Sequence, residues 1–216
     1  MMGLQVGISK GIRMRLQKAT MAALLAAPAL ALVPAPAGAQ LGDILKSPKT
    51  LIDRAIEARS TEDIAKDNRI VIDVNSIMAE LGTIKASTEI YEQKLLITGI
   101  FADRQTYDKF KEQVEQVRGL KELYWHAVFM SDEDRARRAD NLLAWDDVLI
   151  LETKVDVQMV STRGVADVNF RTAVDPFGTV YLMGRARSRP ELDKAIDTVA
   201  KTDGVKQVIN YAFVRP

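Results

Sequence analysis

From residue 61 onward the apolar positions run through the same succession of periods twice. Val148, Val155, Met159 and Val165 recur near helical spacing, and Ile64, Val71 and Leu81 hold the matching places 84 residues earlier. Two alternating segments follow in each copy, 84–90 with 95–97 and 168–174 with 180–182, each pair joined by a short turn that reads as a hairpin. The turn Asp175-Pro-Phe-Gly178 is one residue longer than its counterpart, and beyond it the offset becomes 85. Gly99 and Gly184 then precede a helix opened by a capping side chain, Asp103 or Ser188. Ser188-Arg-Pro-Glu191 is a capping box with proline in the first turn, where its missing N–H costs little. The inward stripe is Tyr107, Phe110 and Val114 in one copy and Leu192, Ala195, Ile196 and Val199 in the other. Gly119 and Gly204 are expected to end these helices in the left-handed region before last strands at 123–129 and 208–214. A strand–helix–strand crossover makes the second and third strands parallel. The expected fold class is α+β: two tandem units, each helix-strand-strand-helix-strand, with a mixed three-stranded sheet and helices packed on one face.

The repeats occupy 61–130 and 145–216, with a charged, partly helical linker at 131–144. Residues 40–60 are a lead-in with a helix expected from about Lys49. Residues 1–39 read as a signal peptide, because Lys10, Arg13, Arg15 and Lys18 precede an Ala/Leu run and Ala37-Gly38-Ala39 supplies small residues for cleavage. Met14 opens a signal of ordinary layout by itself, which leaves the true start open between it and Met1. Neither that run nor any later segment has the roughly 18 uninterrupted apolar residues of a spanning helix. Each repeat is at the small end of what buries a core alone, so packing of one on the other would help both.

Removing the signal takes four positive charges away and turns the formal net charge from +1 to −3, which argues against general nucleic-acid binding. The chain has no cysteine, hence no disulfide, thiol nucleophile or lipidated cysteine. His126 is the single histidine, set in a predicted strand and read as structural or surface-lying, with no partner for a metal site or triad. Carboxylates alternate with Lys and Arg on helix faces, as in Asp108-Lys109 and Asp193-Lys194, and no glycine-rich phosphate loop occurs. An enzyme is not expected, nor is any cofactor or metal.

The order strand, Gly, capped helix, Gly-Val-Lys-x-Val resembles the BON domain family. Gly184 and Gly204-Val-Lys-Gln-Val208 with the preceding Val-Tyr-Leu-Met are a close fit, and Gly119-Leu-Lys-Glu-Leu123 a looser one. The resemblance implies a dual-BON protein of the Gram-negative envelope: periplasmic, non-enzymatic, binding anionic phospholipid surfaces peripherally and supporting outer-membrane integrity under osmotic stress. The alternative is a protein-interaction module, chaperone-like or serving envelope or secretion assembly, that uses the same apolar patch.

Comparing the copies isolates what the scaffold does not require. Trp145, Leu149 and Ile150 stand where the first repeat has Thr61, Ala65 and Lys66, and Leu149 and Ile150 lie off the stripe through Val148 and Val155. Trp145, Leu149 and Ile150 are candidate lipid-contacting residues, with Lys154 beside them for headgroups and Phe177 in the nearby turn. The same helix start could instead be the surface on which the repeats pack together, and Phe177 could fold back on its own strands. Arg163, Arg185, Arg187 and Arg189 form a candidate secondary basic corner, whose other reading is surface solvation.

Overall fold

The computed structural model describes residues 57–82 and 85–215. The expected signal peptide and the lead-in helix from Lys49 lie outside the described residues. The first repeat comprises α1 (Thr61–Glu80), β1 (Ala86–Tyr91), β2 (Lys94–Phe101), α2 (Arg104–Glu115) and β3 (Glu122–Phe129). In the linker, α3 (Asp132–Arg137) is capped by the Ser131 side chain, and a 3-10 turn covers Ala139–Asn141. The second repeat comprises α4 (Trp145–Ser161), β4 (Phe170–Val174), β5 (Thr179–Ala186), α5 (Arg189–Ala200), β6 (Gln207–Asn210) and β7 (Phe213–Val214).

In each repeat the first two strands are antiparallel and the third joins the second in parallel, as the crossover requires. Lys94 pairs with Glu122 and Thr179 with Gln207, so both parallel pairs have one register. The expected last strand of the second repeat is interrupted. Asn210 turns its side-chain amide onto the backbone N–H and C=O of Ala212, and pairing with β5 resumes at Phe213.

Asp103 and Ser188 cap α2 and α5 by accepting from the N–H groups of Thr106 and Glu191. Gly119 and Gly204 are left-handed, with φ of 91° and 99°, but the helices end earlier, at Gln116 and Lys201. These glycines shape the turn into the last strand rather than the helix end. Gly99 and Gly184 are required by close approach: a Cβ on Gly184 would lie 2.1 Å from the Asn169 carbonyl oxygen, and one on Gly99 2.6 Å from that of Lys85.

The helices cover one face of each sheet. Ile70, Val74, Phe110 and Val114 pack on Leu95 and Ile97 in the first repeat, and Val148, Val155, Leu192 and Val199 pack on Val180 and Leu182 in the second. The other faces of the two sheets meet. Tyr91, Leu96, Ala173, Tyr181 and Met183 are buried between them, bordered by Tyr124, Ile209 and Tyr211. The layers therefore run helices, sheet, sheet, helices, and the repeats do not pack through the start of α4.

Candidate functional site

α4 carries more apolar residues than one core face uses. Val148, Leu151, Val155 and Met159 point into the second repeat and are buried. Leu149, Ile150, Val157 and Val160 remain 44, 54, 59 and 52% exposed on the outer side. The matching positions of α1 are Ala65, Lys66, Asp73 and Ser76, and on that side α1 exposes one large apolar residue, Ile72, in place of four. Exposure of Leu149 and Ile150 removes the alternative in which this helix start forms the contact between repeats, because the sheets already make that contact.

Leu149, Ile150, Thr153, Lys154, Val157 and Gln158 line one shallow groove along this face. The Lys154 ammonium stands 3.5 Å from Asp203, and both side chains are open to solvent, so the pair leaves the lysine available to an anion. Trp145 is placed differently from the rest of the expected patch. It is half-buried against the core of the second repeat, one turn before Leu149. Phe177 is also half-buried, in a loop held where the Leu143 N–H donates to the Pro176 carbonyl. Both aromatics border the end of the second repeat where α4 begins, while the exposed apolar surface runs along α4 toward its C-terminus. Val157 and Val160 were legible by the same comparison that singled out Leu149 and Ile150, since their counterparts are Asp73 and Ser76.

Three of the four arginines of the expected basic corner are paired with carboxylates. Arg185 turns toward the first repeat and pairs with Glu92 at 3.0 Å, with 21% of its side chain exposed. Arg187 pairs with Glu191 and Arg189 with Asp193, each at 2.8 Å and one helical turn ahead. Glu191 is buried. Burial would raise its carboxyl, but hydrogen bonds from Arg187 and from the Ala166 N–H outweigh that and hold it below the ordinary range. Arg163 is exposed, and its carbonyl accepts from Lys194. Carboxylate pairing of three of these arginines lowers what the group offers to an anionic surface.

His126 belongs to the contact between repeats. Its Nε2 lies 2.7 Å from the Tyr211 hydroxyl, and its ring centroid is 4.3 Å from that of Tyr181. Burial lowers its pKa, with Asp175 opposing. Among the described residues no three His, Cys, Asp or Glu side chains are grouped as a metal site needs, and no helix is long and apolar enough to cross a membrane.

Residues 132–216 match the family model described as BON domain. A stretch of 150 residues is 29% identical to a protein of Anaplasma centrale described as "Uncharacterized protein in gshII 5'region", covering 69% of this chain and 95% of that one. Two solved structures of CdsD, a structural protein of the type III secretion system of Chlamydia trachomatis, one of them described as its C-terminal domain, are 10% identical. They cover 68% of this chain and 92 and 98% of their own, each at a TM-score of 0.28.

Proposed function

We propose that this chain, whose residues 132–216 match the BON domain model, is a tandem-BON envelope protein that binds phospholipid surfaces peripherally through the outer face of α4. The supporting observation is that Leu149, Ile150, Val157 and Val160 are about half exposed along one helix face, with Lys154 among them. A helix lying in the plane of a bilayer needs this arrangement: apolar side chains to enter the acyl boundary and a cation for the headgroups. Four side chains that are already half covered gain on the order of 1 kcal/mol each on entering lipid. Together with roughly 1 kcal/mol for Lys154 near an anionic surface, the sum corresponds to weak, reversible association. The protein is exported to the periplasm and its signal is cleaved near Ala39. It acts without catalysis, in support of the outer membrane.

Co-sedimentation with vesicles containing anionic phospholipid tests this reading. Wild type should pellet, and a Leu149→Ser, Ile150→Ser, Val157→Ser, Val160→Ser variant should remain in solution. Equal pelleting of the two would remove α4 from the site. No pelleting of wild type at any salt concentration, with recovery of a stoichiometric cross-linked protein, would favour the protein-interaction module instead.

A further inference from the structure

The repeats also meet along one sheet edge, where β1 approaches β4 and α4. The side chains there are polar. Ser87 Oγ lies 3.4 Å from both carboxylate oxygens of Glu152, and Thr172 Oγ1 donates to Asp156 at 2.6 Å. Glu89, Asp156, Asp167 and Arg171 share a cavity of about 260 Å³ with Met159 and Phe170. Three carboxyl groups, on β1, α4 and the 3-10 turn Asp167–Asn169, thus share the cavity with Arg171 of β4, and Glu152 lies one helical turn before Asp156 on α4. That guanidinium already donates to the carbonyls of Val168 and Phe170. Val160 of the apolar outer face lines the same cavity, so the junction adjoins the proposed lipid surface.

We propose that the junction of β1 with β4 and α4 is a proton-operated latch between the two repeats, closed while Glu89 and Glu152 hold protons and loosened when both ionise. The geometry requires one side chain from each repeat to enter an edge already occupied by Asp156 and Asp167. Ionising both adds two negative charges to a junction where Glu89 and Glu152 already face each other and Asp156. Burial raises Glu89 to about 7, with Glu152 and Asp156 adding to it and Arg171 opposing. Burial, then Asp156, raises Glu152 to about 7 against the hydrogen bond from Ser87. Both folded values exceed the ordinary 4.5, so the folded protein binds more protons than the unfolded chain. Closure is strongest at low pH, weakens as pH rises from about 4.5 through about 7, and then levels off. Because the pair is coupled, its two protons leave in steps that belong to the pair rather than to either residue.

Amide hydrogen exchange on the full chain, corrected for intrinsic rates, tests the latch. Protection of β1 and β4 in wild type should fall about tenfold or more between pH 6 and pH 8, and in the Glu89→Gln, Glu152→Gln variant it should stay level. An equal fall in both proteins, or none in wild type, would overturn the proposal. If the variant does not fold, carbon-13 NMR titration of the wild-type carboxyls decides: midpoints above about pH 6 for this pair support the latch, and midpoints below it sink it.

Discussion

The two hairpins close in different ways. In the first repeat Glu92 and Gln93 form a two-residue turn, both with positive φ, at 51° and 64°. Neither residue favours that conformation. The turn is held by Asp67 from the middle of α1, which is buried and accepts from the N–H groups of Glu92 and Gln93, from the Gln93 side chain and from Arg59. In the second repeat the loop is one residue longer, and Gly178 takes the left-handed position at φ 82°. There Asp175 holds its own loop, accepting from the N–H groups of Phe177 and Thr179 and from the Tyr181 hydroxyl. The position matching Asp67 is Leu151, a core residue. A turn that is stable by itself releases the helix from a polar duty. One scaffold can thus tie its helix to the hairpin in one copy and leave the helix free to diverge in the other.

Five single substitutions and one quadruple variant break or sharpen this comparison. Gly184→Ala should have the largest effect, about 4 kcal/mol, because its Cβ would meet backbone atoms of Asn169 and Phe170 that have no room to retreat. Gly99→Ala should cost less, since its nearest contact is longer, and chemical denaturation of the two variants ranks them. Asp67→Ala should cost about 3 kcal/mol by leaving the turn amides without their acceptor and Arg59 with Glu57 alone, and the loss should be localised by NMR at Glu92 and Gln93. Asp103→Ala and Ser188→Ala should each remove about 1 kcal/mol, nearly equally, if the two α-helical starts are equivalent. The smallest effect per residue, within about 0.5 kcal/mol each, is expected for the quadruple serine variant of α4 described above, whose measurable consequence is lost vesicle binding.

Much of this was legible in the chain. The order of elements, the hairpins, the capping residues and the parallel third strand followed from repeated spacing and residue type, because these are local properties of backbone and side chain. The second-face burial of the sheets also had a signal. Leu95-Leu96-Ile97 and Val180-Tyr181-Leu182-Met183 run continuously apolar instead of alternating, as strands covered on both faces do. The role of Asp67 had no such signal, since an aspartate on a helix next to Lys66 reads as a solvated side chain until the hairpin folds onto it. The partner of Arg185 had no signal for a related reason, since Glu92 belongs to the other repeat and its attraction for Arg185 depends on how the sheets face.

The amino-acid order alone set the duplication, its topology and the surplus of apolar residues on α4, because period and composition act within a segment. Which surfaces of the two copies would meet was decided only in three dimensions. Burying the uncovered sheet faces against each other removes apolar area from both, including Leu96, Tyr181 and Met183, and supplies His126 with the Tyr211 hydroxyl. That choice leaves the outer side of α4 in contact with solvent and brings Glu89 up to Glu152, two consequences that no single segment contains.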